Sequence, residues 1–324
     1  MQHFHSLLLQ HPRPKVERNE IKIYFVQINK YYLSALSAFI IWGFFSLPLK
    51  PLHDYPSLDI LFYRVFLATA LLLLINVSFR YDVVKENVKV FRSLSQKDKR
   101  KFLTLTVVGG FLLVLNWYLF MFALNHVSLN SASFAYLICP IITTILAFFI
   151  LKEKLSFWQW FSVVLCLISC AILSYGDLTG LVYSLIIAVS FALYLISQRK
   201  NNLFDKFIVL SIQMIIASIV LAPFFPLYSG TTPNESIFYI LMIVIVVLFT
   251  IIPLFLNLYA LKGMNSSAVG ILMYTNPLIN FLLGIFYFHE KMTTAHIISF
   301  SLILLSIVIF NERILFKRKS LSEK

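Results

Sequence analysis

"CPIITTILAFFILKEK" runs from Cys139 to Lys154, and "NPLINFLLGIFYFHEK" runs from Asn276 to Lys291. Each carries a proline inside a long apolar run and closes the run on a Glu-Lys pair. Pro140 and Pro277 lie 137 positions apart, and the same offset relates Glu153 to Glu290 and Lys154 to Lys291. It also relates Ala123 to Ala260, Leu124 to Leu261, Ile142 to Ile279, Leu165 to Leu302, Leu167 to Leu304, Ser169 to Ser306 and Ile172 to Ile309. Apolar matches come easily in apolar helices, whereas the matched proline and the matched Glu-Lys do not. The openings of the two halves correspond loosely, "WGFFSLPLK" (42–50) standing opposite "FALYLISQRK" (191–200).

Composition sets the solvent. Of 324 residues 60% are hydrophobic and 13% charged, with mean hydropathy +0.85, against about a quarter charged in a soluble domain. The apolar residues fall in blocks of about 20, the length of a helix that crosses a bilayer core. Lipid offers backbone groups no partner, which leaves helices or closed barrels. Continuous rather than alternating runs select helices. Ten such spans have approximate limits 31–50, 58–79, 102–124, 129–151, 155–175, 178–198, 204–228, 236–261, 266–288 and 293–311. The expected fold is therefore an all-α polytopic membrane protein.

Lys and Arg set the orientation. With the N-terminus in the cytosol, the cytosolic segments hold 24 of the 27 Lys and Arg, the outer loops hold Lys50 and Lys291, and Arg64 lies inside span 2. Glu153 then faces the cytosol and Glu290 the outside. The same feature on opposite faces means two inverted five-span repeats, residues 31–175 and 176–311, between a cytosolic tail (1–30) and a basic cytosolic tail (312–324). The "SLLL" of the first tail is too short for a signal-peptide core. The net charge of +13 is thereby assigned to anionic lipid headgroups on the cytosolic side and not to nucleic acid. Linker 80–101, rich in Lys and Arg, is expected to be partly helical at the surface.

Inverted repeats place a substrate near midplane at their interface. A proline removes one N–H and frees a carbonyl one turn back, so Pro140 and Pro277 are expected to interrupt spans 4 and 9 as mobile or cavity-lining elements; a packing kink is the alternative. Helical spacing puts Met273, Asn276 and Asn280 on one face of span 9, and Tyr136, Cys139 and Thr143 on the matching face of span 4. Ser190, Tyr194 and Ser197 share a face of span 6, Asn116 and Trp117 sit mid-span 3, and Asn257 mid-span 8. Substrate contact and interhelical hydrogen bonding both account for such groups. A charge at the depth of Arg64 costs about 2.5 kcal/mol or more near the bilayer centre. It either binds an anionic or gating partner or snorkels to the outer interface. Glu153, Lys154, Glu290 and Lys291 are expected to be solvated helix stops with local ion pairs. No buried Asp or Glu relay is visible, so proton coupling is unsupported and uniport or exchange stands equally.

Cys139, Cys166 and Cys170 all lie in apolar runs and are assigned to packing. "HEKMT" (289–293) opens like the zinc-protease His-Glu-x-x-His, but Thr293 holds the place of the second His. No metal or cofactor is called for, and no Ser/His/acid grouping supports an enzyme. A channel filter loop is not found. A lipid or lipid-carrier flippase shares the expected fold and remains open.

The ten spans, the "WG" at Trp42–Gly43, the prolines of spans 4 and 9 and the Glu-Lys turns resemble EamA-type carriers of the drug/metabolite transporter superfamily. "NWYLFMFALN" (116–125), "SFAYLICPIITTILAFFILKEKLSFWQW" (133–160), "RV" (64–65) and "SFALYLISQRK" (190–200) are similar to RarD-type permeases. The resemblance covers about residues 31–311. It implies a bacterial inner-membrane permease that moves a small metabolite, amino acid or drug, outward, without a cofactor. Cys139-Pro140 departs from the Asn-Pro usual in span 4 of the subfamily, while Asn276-Pro277 keeps it in span 9. A carrier of this kind predicts a chamber of a few hundred Å³ between the halves.

Overall fold

The structure is a computed structural model that describes residues 16–126, 129–173, 178–230, 232–287, 289 and 293–311. Residues 1–15 of the first expected tail, the whole of the second (312–324), and Glu290 and Lys291 lie outside the described residues. The described residues are helices joined by turns and short irregular segments, with no strand among them. Six helices are long and apolar enough to cross a membrane by length and composition: Lys30–Leu52, Ser57–Ser78, Gln96–Ala123, Leu181–Lys200, Ser236–Gly263 and Ser266–Phe286. Four shorter apolar helices, Ala135–Leu151, Phe157–Leu173, Lys206–Leu221 and Thr294–Phe310, bring the number to ten. They match the ten runs of the sequence in order and are numbered as spans 1–10. The helix of span 1 begins as early as Val16, within the stretch expected as a tail.

Packing follows one scheme. Span 1 lies against span 8 and span 6 against span 3; span 4 packs on span 6 and span 9 on span 1. Spans 2 and 7, 4 and 9, and 5 and 10 pair directly. Adding five to each span number turns every one of these contacts into another. The pairs are joined by polar groups that lipid cannot satisfy. Between spans 2 and 7, Thr69 Oγ1 reaches Met214 O at 2.9 Å and Asn76 Nδ2 reaches Ser211 Oγ at 2.7 Å. Between spans 5 and 10, Cys166 Sγ lies 2.9 Å from Ser306 Oγ, and Ser169 Oγ donates to Ser299 O at 3.0 Å.

The backbone repeats as well. Span 4 ends on Lys152 at φ 55°, and the turn after span 9 holds His289 at φ 54°, residues 137 positions apart. Both occupy the left-handed region that stops a helix. The Glu153 N–H then turns back to Ala147 O at 3.3 Å.

At the end of the bundle that carries the Lys/Arg-rich loops, here the basic end, Tyr81–Ser93 forms a helix with no buried residue. Arg80 ties its start to Asp205 at 3.0 Å. Asp205 also caps span 7 through the N–H groups of Phe207 and Ile208. Lys206, buried, donates to the carbonyls of Asn201 (2.7 Å) and Gln198 (3.3 Å), a cation placed on the negative end of span 6.

Candidate functional site

Span 8 is not a continuous α-helix. Ser236–Val246 passes into a π turn, Val247–Ile251, and resumes as Ile252–Gly263. Pro253 has no N–H to give the carbonyl of Phe249, four residues back. Two side chains from the other half occupy that carbonyl: Trp42 Nε1 at 3.0 Å and Arg64 Nη2 at 3.4 Å. Arg64 Nε also donates to Thr250 Oγ1 at 2.7 Å, and Thr250 passes its own proton to Ile245 O at 3.0 Å. The guanidinium centre lies 4.4 Å from the ring centroid of Trp117 and 5.2 Å from that of Phe45. Arg64 is 6% exposed. Its side chain turns into the bundle toward span 8, so the snorkelling alternative does not describe this geometry. Two of its five N–H groups are engaged, both by neutral oxygens, and no carboxylate pairs with it among the described residues.

Span 3 links this cation to a second polar group. Trp117 faces Arg64, while its neighbour Asn116 points to span 6, donating to Ile187 O (2.9 Å) and Ser190 Oγ (3.0 Å). Ser190 and Ser197 return their protons to their own helix, at Ile187 O and Tyr194 O. Of the predicted face on span 6, Tyr194 alone keeps its polar atom uncommitted. On span 4, Cys139 Sγ contacts Thr143 Oγ1 (3.8 Å) and Ala188 O of span 6 (3.7 Å); the Tyr136 ring meets that of Phe120 tilted, with centroids 5.3 Å apart. Of the residues predicted for the site, Asn116 Oδ1, Tyr194 Oη and both amide atoms of Asn257 are buried with no hydrogen-bond partner among the described residues, as are several other polar atoms of the bundle, Gln213 and Tyr274 Oη included. The three predicted residues come from spans 3, 6 and 8, and span 8 is the counterpart of span 3.

The two prolines behave differently from the expectation that both interrupt their helices. Span 4 runs unbroken through Pro140. Span 9 does break, into Ser266–Leu272 and Thr275–Phe286, but at Met273–Tyr274, ahead of Pro277. Pro277 falls in the first turn of the restarted helix, where an N–H has no helical partner to lose. The inner half of span 9 crosses span 4 at Gly270. A Cβ there would lie 3.1 Å from Thr143 Cβ and Cγ2 and 3.5 Å from Pro140 O, so the glycine is what lets the two proline spans touch. Gly43 plays the same part where span 1 meets span 9, since a Cβ would come within 2.7 Å of Ile279 Cβ. The break also divides the predicted face of span 9. Met273 is buried, whereas Asn280 is exposed and donates to Asn276 Oδ1 at 2.7 Å.

Glu153 corrects a further expectation. It is not a solvated stop paired to Lys154, which is exposed and outside ion-pair distance. Its carboxylate accepts from Ser266 N (2.8 Å), Ser267 N (3.1 Å) and Ser267 Oγ (2.5 Å). A carboxylate at a helix start meets the exposed N–H groups and the positive end of the dipole. The end of span 4 thus closes on the start of span 9 at the basic end. A cavity of about 440 Å³ opens beside it, lined by Leu151, Lys152, Glu153, Arg199, Asn202 and Asn265. It lies on the seam between halves, displaced from midplane to the basic end.

Trp42, Phe249, Thr250 and Gly270 were not singled out as site residues from sequence. The signal for the first three was Pro253, a third proline deep in an apolar run.

The EamA-like transporter family description matches this chain twice, over residues 29–175 and 178–311. An uncharacterized transporter of Bacillus subtilis, YojE, is 30% identical over 291 residues, covering 88% of this chain and 95% of that protein. RarD of Escherichia coli is 25% identical over 299 residues, 88% and 94% of the two chains. One solved crystal structure shares the fold with a TM-score of 0.70 at 14% identity, over 90% of this chain and 98% of that one.

Proposed function

Because the chain belongs to the EamA-like transporter family and is a multi-pass membrane protein, we propose that it is a secondary carrier of the bacterial inner membrane, with both termini cytosolic. It exports a small metabolite or drug bearing an anionic or strongly hydrogen-bonding group, and it performs no covalent chemistry. The observation that carries this reading is unfinished hydrogen bonding at membrane depth. Asn116 Oδ1, Tyr194 Oη and the Asn257 amide are buried without partners among the described residues, and the same bundle holds a buried cation on neutral acceptors, against Trp117, the sequence neighbour of Asn116. An unpaired buried polar group costs about 1–3 kcal/mol, a cost that a polar ligand offsets when it binds. Arg64 supplies charge, Trp117 an aromatic wall, and the amides of spans 3 and 8 the hydrogen bonds that orient the solute.

The pairing of spans 4 and 9 supports alternating access as the mechanism. Glu153 ties the inner half of span 9 to the end of span 4, which keeps the basic end shut. By sequence, Glu290 stands at the equivalent place of the second half, for the outer end. Rocking about the Gly270 crossing exchanges one closure for the other.

The test compares metabolites retained by cells carrying the wild-type gene, no gene, or a variant. Arg64→Ala and Asn257→Leu are expected to give the no-gene profile at normal membrane abundance. Asn257→Leu carries the weight, because it breaks no hydrogen bond within the protein and removes an unpaired amide. It should raise thermal stability, by up to about 1–3 kcal/mol, while transport falls. Wild-type profiles from both variants would sink the site.

A further inference from the structure

The basic end carries a second feature that transport does not use. On the first turns of span 3, Lys97, Arg100, Lys101 and Thr104 share one face by i, i+3, i+4 spacing. With Gln96, Leu105 and Lys200 from the end of span 6, they line a cavity of about 650 Å³. Its four cations are exposed, and none is in an ion pair among the described residues. The nearest acid in sequence, Asp98, is held by Ser95 Oγ at 2.7 Å and lies off the cavity wall. Like charges three and four residues apart on a helix repel by a few tenths of a kcal/mol, and an anion on this face relieves that repulsion.

The same face continues apolar. Beyond Thr104, the exposed side chains Val107, Val108 and Phe111 follow at helical spacing along the wall of span 3. A free anion has no use for that track, whereas the acyl chains of a lipid do. Beside the cavity, the helix Tyr81–Ser93 presents Val88 and Val90 among Lys85, Lys89 and Arg92 without burying any residue. That is the composition of a helix lying in the headgroup layer.

We propose that this cavity is a binding site for one glycerophospholipid with an anionic headgroup, drawn from the leaflet at the basic end. The phosphate sits among Lys97, Arg100, Lys101 and Lys200, and an acyl chain runs along Val108 and Phe111. The site is distinct from the solute path, and its occupancy does not depend on what the carrier moves.

Native mass spectrometry of the full-length protein in detergent, titrated with phosphatidylglycerol or phosphatidylcholine, tests this. Arg100→Gln/Lys200→Gln removes two cavity cations, and Lys85→Gln/Lys89→Gln removes the same charge from the neighbouring helix. A cation near an anionic surface contributes about a fivefold effect, so the cavity variant is expected to bind phosphatidylglycerol about 30-fold more weakly. Lys85 and Lys89 do not line the cavity and meet no anionic surface in detergent, so the control should stay within about twofold, with phosphatidylcholine unaffected in both. Equal losses in the two variants would reduce the effect to general charge and overturn the site. Displacement of phosphatidylglycerol by millimolar inorganic phosphate would make it a phosphate site and overturn the lipid assignment. A distinct loss in the cavity variant with no displacement supports the proposal.

Discussion

Replacing Glu153 by glutamine tests the closure of the basic end with almost no change of shape. The carboxylate receives three donors, one on Oε1 and two on Oε2. A glutamine offers one acceptor oxygen and turns an NH2 toward N–H groups, so one or two of these bonds are lost. Hydrogen bonds to a charged group contribute about 1.5–3 kcal/mol each, and a charge at a helix start adds about 0.3–1 kcal/mol. We take about 2–3 kcal/mol, which corresponds to a shift of about 30- to 150-fold in the ratio of basic-end-open to basic-end-closed molecules. Native Cys139 is a ready reporter, being 1% exposed on the seam. In a Cys166→Ala/Cys170→Ala background, a membrane-impermeant maleimide is added to the basic side of oriented vesicles. Glu153→Gln should label tens of times faster than wild type, and Glu153→Asp should lie between, its shorter arm reaching fewer donors. An unchanged rate in Glu153→Gln, with the protein folded, would mean that this contact is not what holds the end shut.

Three further outcomes are expected. Pro253→Ala restores an N–H for Phe249 O and should displace Arg64 and Trp42; unfolding midpoints should move by about 1 kcal/mol or less while transport falls, and wild-type transport would refute the role given to the π turn. Gly43→Val drives a side chain into Ile279 and should destabilise by about 1–3 kcal/mol, with partial recovery in Gly43→Val/Ile279→Ala measured by detergent thermal unfolding. Cysteines introduced at Gly176 and Thr232 should label from outside intact cells; silence at both reverses the orientation assigned from the basic loops.

The sequence displayed most of the architecture because membrane helices are written in long apolar blocks, and because a repeated Pro and Glu-Lys are rare enough to align. The site was less legible. Proline chemistry pointed to Pro140 and Pro277, yet Pro140 is absorbed in a continuous helix and Pro277 lies in a first turn that tolerates it. The proline whose missing N–H organises side chains is Pro253, which has no partner at the repeat offset: Asn116 stands there. Comparing halves therefore hid it. Arg64 was visible as a charge in lipid, but its acceptors come from a π turn, which no periodicity announces. Glu153 read as a solvated end because its three donors lie more than a hundred residues away, at Ser266 and Ser267.

The contacts between halves also bear on how the protein is made. Span 4 packs mainly on span 6, and span 9 on spans 4 and 1, so each proline helix finds its bed in the half to which it does not belong. During synthesis the first five helices enter the bilayer with span 4 still lacking its neighbour, and maturation waits on the sixth. Cutting the chain between the fifth and sixth helices would yield two fragments that must find each other to complete either one, the arrangement of an interlocked dimer written in a single polypeptide.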